Sequence, residues 1–171
     1  MRLFAAVRPS AEAVAHAAAA VDRVRAIEPG PRWAPPERWH LTLAFYGDVD
    51  ERELPRLTRH VDRGLADVPA MTLSLAGAGT FSRRAIWLGV AGDVDVLQRA
   101  AHGVTFEDRA FQPHLTVARL RGGTDPAGAL RALSSYAGPP WTVDEVHLVR
   151  SQPGPRPTYD DIGTWPLAAP S

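Results

Sequence analysis

The chain has 171 residues, 45% of them hydrophobic, which is enough for a buried core and, at about 150 residues per domain, for one compact domain spanning 1–171. Nineteen cationic residues balance nineteen acidic ones, which excludes an overall basic field able to hold long nucleic acid through counterion release. Cysteine is absent, so disulfides, thiolate nucleophiles and cysteine-ligated metals are excluded, and no apolar stretch approaches the roughly 18 residues of a membrane span.

The first apolar run, Leu3 to Val7, reads as a short buried strand and is too short for a signal-peptide core. A cytoplasmic monomer without membrane contact is therefore expected. Ser10 is placed to cap an Ala-rich helix over Ala11 to Ile27 that Pro29 and Gly30 end. Pro31, Pro35 and Pro36 make an extended connector, and Trp39 to Tyr46 reads as a strand stopped by Gly47.

Asp50 to Leu65 carries Leu54, Leu57, Val61 and Leu65 at helical spacing, with Pro55 in the first turn. Met71 to Leu75 and Ala85 to Val90 read as strands, joined by a loop containing Gly77, Gly79 and Ser82 to Arg84. Asp93 to Val104 reads as a helix, Phe111 to Leu120 as a strand, Pro126 to Tyr136 as a short helix, Trp141 to Val149 as a strand and Asp160 to Leu167 as the last strand. The order of strand, helix, strand and returning strand thus recurs, which predicts an α+β fold: a bilobal duplicated unit of two antiparallel sheets with helices on the outer faces and a central cleft.

The repeat is sharpest at His40-Leu41-Thr42-Leu43 and His114-Leu115-Thr116-Val117, an offset of 114 − 40 = 74 residues. In a strand, His and Thr at i and i+2 share one face while the aliphatic residues anchor the other. Two imidazoles and two hydroxyls facing each other suit in-line attack on a phosphodiester. One imidazole serves as base on the entering oxygen, the other as acid on the leaving oxygen, and the hydroxyls hold the non-bridging oxygens. One such tetrapeptide at a sheet edge would be unremarkable; two at equivalent places in a repeat make His40 and His114 the catalytic candidates and Thr42 and Thr116 the phosphate-binding ones.

A metal would need a third ligand at recognisable spacing, and none follows either histidine; folding alone could still gather one. Neither metal nor cofactor is expected. No GxSxG elbow, P-loop or dinucleotide fingerprint occurs.

Together with Arg2-Leu3-Phe4-Ala5, Gly79-Thr80-Phe81 and Ile86-Trp87-Leu88-Gly89-Val90, the segments Trp39 to Gly47 and Phe111 to Arg119 make the chain similar to a known family. It resembles the two-histidine phosphoesterase superfamily, most closely the bacterial RNA 2',3'-cyclic phosphodiesterase branch, also described as 2'-5' RNA ligase-like. The resemblance implies a V-shaped cleft, a substrate that is an RNA terminus or nucleotide bearing a 2',3'-cyclic phosphate, and opening of that ring to a 2'-phosphate. It also implies His114 as the base and His40 as the acid, a choice the residues by themselves leave open. Ligation through a 2'-5' linkage and nucleotide binding with little turnover are the alternatives. Transfer RNA halves, other RNA ends and small cyclic nucleotides would all present the reactive group.

By the same resemblance Arg119 contacts phosphate, although strict alternation from His114 turns it to the opposite face, so the role requires a bulge or the strand's end. Phe45 and Tyr159 are candidates for base stacking or for packing at the rim. Arg83 and Arg84 sit on a loop able to reach a polynucleotide or simply to be solvated. His16, His60, His102 and His147 lack the following Thr and read as structural or surface residues.

Overall fold

In a computed structural model that describes residues 1–169, strand β1 (Arg2–Val7) is buried from Leu3 onward. A strand apolar on both faces needs cover on both sides. Leu3, Ala5 and Val7 join the main core, while Phe4 and Ala6 point the opposite way into a small cluster with Val149 and Tyr159. Helix α1 (Ala11–Ile27) follows, with the Ser10 hydroxyl accepting a hydrogen bond from the Ala13 N–H and Ala13, Ala17, Val21 and Val24 buried along one stripe.

A two-residue strand β2 (Arg32–Trp33) and a 3-10 turn (Pro36–Arg38) lead into β3 (Leu41–Asp48). Helix α2 (Leu54–Leu65), strands β4 (Met71–Phe81) and β5 (Ala85–Gly92), helix α3 (Val94–Val104), strand β6 (Leu115–Arg119) and helix α4 (Ala127–Leu133) come next, then β7 (Trp141–Val143), β8 (Glu145–Gln152) and β9 (Thr158–Pro166). The strands form two antiparallel sheets, a four-stranded one in the order β3-β1-β8-β9 and a five-stranded one in the order β2-β6-β5-β4-β7.

Helices α1 and α4 cover the five-stranded sheet at β4, and the pair α2 and α3 covers the other at β9 and β3. The α2–α3 approach depends on Gly64 and Gly103, because a Cβ on either would run into the other's carbonyl oxygen. The fold is α+β, with one motif strand in each sheet: β3 forms the edge of its sheet and touches β6 of the other, so the two sheets meet along the two motifs. No described helix is long and apolar enough to cross a membrane.

Several boundaries differ from the sequence expectation for physical reasons. The run from Trp141 to Val149 splits, because Trp141 and Val143 bury one phase of alternation and Val146 and Leu148 the other, with Asp144 and Glu145 both exposed between them. β7 therefore pairs with β4 and β8 with β1, in different sheets. β4 runs on through Gly77 and Gly79 to Phe81. Gly79 is a strand residue because the Trp87 indole lies across it, where a Cβ would collide. Residues 111–114 precede β6 and do not belong to it, and β9 begins at Thr158, which brings Tyr159 into the sheet.

Candidate functional site

Each motif histidine stands just before its strand, on a segment fixed by a buried neighbour. Trp39 is buried and donates its indole N–H to the Ala34 carbonyl at 3.2 Å; Pro113 is buried ahead of His114. The two rings are held alike. Nδ1 of His40 lies 2.8 Å from the Arg38 carbonyl oxygen, and Nδ1 of His114 lies 2.7 Å from that of Gln112, in both cases the residue two positions earlier. A carbonyl can only accept, so Nδ1 carries the proton in each ring and Nε2 is left with a free lone pair in the neutral form.

Thr42 pairs across the sheet with Ala6, and Thr116 with Trp87. Neither hydroxyl has a protein hydrogen-bond partner among the described residues. Beyond the threonines both strands slip in register at the same relative position. The β1–β3 pairing passes over Leu43 and the β5–β6 pairing passes over Val117, each three residues after its histidine (43 − 40 = 117 − 114 = 3). The slip buries two successive residues, Leu43 with Ala44 and Val117 with Ala118. It turns the next residue out on the histidine's own face, so Phe45 and Arg119 occupy equivalent places (45 − 40 = 119 − 114 = 5). Strict alternation would have sent Arg119 into the core; the bulge at Val117 puts it beside Thr116.

The surroundings of the two rings are aromatic but not identical. His40 stacks on Phe4 at a centroid distance of 4.7 Å, and Tyr159 meets it edge-on at 5.3 Å. Phe45, 61% exposed, leans on the same Phe4 at 5.6 Å, so Phe4 is the buried floor beneath His40, Phe45 and Tyr159. His114 meets Phe81 edge-on at 4.7 Å, with Trp87 at 6.1 Å.

Burial pushes the pKa of His40 below its usual value. The hydrogen bond to the Arg38 carbonyl opposes the shift, and the nearby charges of Arg8 and His114 add to it. The charge of His114 thus bears on His40 across the two motifs. Arg8 is held by Asp161 through two contacts of 2.6 and 2.9 Å, which keep the Asp161 carboxyl below the usual carboxylate range.

The folded chain thus brings His40, Thr42, Phe45 and Tyr159 together on one side and His114, Thr116 and Arg119 on the other. Phe4, Phe81, Trp87 and Arg8 join them without having been singled out as site residues from the sequence. Phe4 sits in an apolar run whose two faces look alike in one dimension, and Arg8 is drawn in only by an aspartate 153 residues away. The remaining histidines stand apart from the motif pair: His16 bonds the Tyr136 hydroxyl, His60 stacks on Phe106, and His147 lies between Glu145 and Asp161. Among the described residues no group of three His, Asp or Glu side chains is arranged to hold a metal.

A profile of the family described as the 2'-5' RNA ligase superfamily matches residues 13–155. An RNA 2',3'-cyclic phosphodiesterase of Thermotoga maritima is 31% identical, over 71% of this chain and 71% of that protein. One of Methanothermobacter thermautotrophicus is 30% identical, over 89% and 91%. Among solved structures, E. coli LigT in apo form superposes with a TM-score of 0.76 at 26% identity, covering 98% of this chain and 97% of that one.

Proposed function

As the chain belongs to the 2'-5' RNA ligase superfamily, we propose that it is a metal-independent phosphodiesterase that opens a 2',3'-cyclic phosphate on an RNA terminus or nucleotide to a 2'-phosphate. The observation that carries the reading is the paired geometry: two rings whose Nδ1 atoms are fixed by carbonyls, each with Nε2 free and an unspent threonine hydroxyl two residues on. Relatives named RNA 2',3'-cyclic phosphodiesterase support it, as does LigT, crystallised with phosphate and with 3'-AMP.

The two rings are held alike, so the division of roles between them is taken from the family resemblance. Nε2 of His114 takes a proton from water as its oxygen attacks phosphorus, the P–O3' bond breaks, and Nε2 of His40 gives its proton to the departing 3' oxygen. The phosphate remains on the 2' oxygen. Thr42 and Thr116 donate to the non-bridging oxygens, where charge accumulates, and Arg119 adds a guanidinium beside Thr116. The lowered pKa of His40 makes its imidazolium a stronger acid than usual but reduces its protonated fraction in the free enzyme. The negative charge of the bound phosphodiester works in the opposite direction and favours the proton. Phe45 and Tyr159, rising from the Phe4 floor, supply faces on which the terminal base stacks. The two lobes act together as one domain, because the reaction needs a histidine from each.

Incubation with adenosine 2',3'-cyclic phosphate tests the reading. Adenosine 2'-phosphate is the expected product, with a rate insensitive to chelator. Adenosine 3'-phosphate would refute the assignment of the broken bond, and loss of activity in chelator restored by zinc would refute the metal-free chemistry.

A further inference from the structure

Five arginines gather where the second motif ends, although the chain as a whole carries no net charge. Arg119 leaves β6 on the histidine face, directly opposite Arg32 of β2, an exposed like-charge pair across two strands. The β4–β5 hairpin tip brings Arg83 and Arg84 to the same place, and Arg121 follows from the β6–α4 loop. A cavity of about 620 Å³ opens among Arg83, Arg84, Arg119, Arg121 and Asp125.

The two loops are tied together, the Leu120 N–H donating to the Arg84 carbonyl at 2.9 Å. Ser82 and Arg83 both hold positive φ, 50° and 55°, in a turn where glycine or asparagine is favoured. Of these five arginines only Arg83 has an acidic partner among the described residues, Asp125 at 3.3 Å. The patch thus concentrates cations around one carboxylate in a chain that is otherwise balanced.

We propose that this patch binds the backbone phosphates on the 5' side of the reactive terminus, so that the preferred substrate is an RNA strand several nucleotides long and not a cyclic mononucleotide. The inference rests on the phosphodiesterase reading and extends it from the reacting phosphate to its neighbours. The patch is continuous with the site through Arg119, so a strand whose terminal phosphate lies between the histidines has its preceding phosphates in reach of Arg84, Arg121 and Arg32. An end grip of this kind fits a chain with no overall basic field.

The test compares a hexanucleotide ending in a 2',3'-cyclic phosphate with adenosine 2',3'-cyclic phosphate, for the native protein and the double variant Arg84→Gln/Arg121→Gln. Binding of a labelled hexanucleotide ending in a 2'-phosphate is followed in parallel by fluorescence anisotropy. Each phosphate contact to a single strand contributes about 0.7 to the slope of log affinity against log salt, so losing two contacts removes about 1.4. From about 50 to about 200 mM salt the native protein should then lose affinity about 7-fold more than the variant. The ratio of kcat/KM on the hexanucleotide to that on the mononucleotide should fall severalfold in the variant, and Arg84→Lys/Arg121→Lys should restore the native slope. Equal salt slopes for native and Gln variant, or an unchanged substrate ratio, would overturn the inference while leaving the phosphodiesterase reading intact. Absence of turnover on both substrates with the slope difference preserved would overturn that reading and support the patch.

Discussion

Replacing Thr116 by Val isolates what its hydroxyl does. Valine keeps the branched shape that suits a strand and loses only the hydroxyl. The Thr116 hydroxyl makes no hydrogen bond to protein among the described residues, so no folded-state bond is broken. The side chain stays beside Trp87, its cross-strand partner. If the hydroxyl donates to a phosphoryl oxygen whose charge rises in the transition state, its loss removes a bond to a charged group, worth about 1.5–3 kcal/mol. That corresponds to a fall of about 10- to 150-fold in kcat/KM. Thr42→Val should behave alike, and because the two hydroxyls face different oxygens from opposite lobes, the double variant should approach the product of the single effects. The assay is hydrolysis of a cyclic mononucleotide at saturating and at low concentration, with thermal unfolding as control. A Thr116→Val protein within about twofold of native activity, or one whose loss of rate tracks a loss of Tm, would refute the role given to this hydroxyl.

Other expectations follow from the same geometry. His40→Ala and His114→Ala should each lower kcat by about 10²–10⁴-fold, and each should abolish one limb of the bell-shaped pH profile; retention of both limbs in either variant would contradict the pairing. Arg8→Met removes a positive charge that lowers the His40 pKa. The His40 ring, followed by NMR titration of the free protein, should then titrate at higher pH than in the native protein, and an unchanged His40 titration would contradict the influence given to Arg8. Phe4→Ala empties the buried floor under His40 and should cost about 3–5 kcal/mol of stability by urea unfolding, a cost that a merely peripheral Phe4 would not incur.

Much of this site was legible before folding, because the His-x-Thr spacing uses the two-residue period of a strand, and that period is visible in one dimension. The bulges were not legible as such, yet their trace is there: Leu43-Ala44 and Val117-Ala118 place two small or aliphatic residues in succession where alternation asks for one. The slip they record puts Arg119 on the productive face, and it also makes Phe45 the counterpart of Arg119. Sequence reading joined Trp141 to Val149 into one strand because every residue but Asp144, Glu145 and His147 suits a sheet; only the change of buried phase at Asp144 shows that two sheets are served. Phe4 was hidden for the opposite reason, since Leu3 to Val7 is apolar throughout and gives no sign that Phe4 turns away from the main core toward His40 and Tyr159. The arginine patch combines residues from three separate segments, at Arg32, Arg83-Arg84 and Arg119 to Arg121, whose proximity is set by the antiparallel pairings of β2, β5 and β6.

Long-range 1H–15N correlation spectra of the histidine rings, recorded while adenosine 2'-phosphate is added, address the two-ring arrangement most directly. Nε2 of His40 and of His114 should both shift, saturably and with one common Kd, while the Nδ1 signals remain those of protonated, carbonyl-bonded nitrogens. A response confined to one of the two rings, or two different Kd values, would contradict the claim that both imidazoles serve a single phosphorus atom.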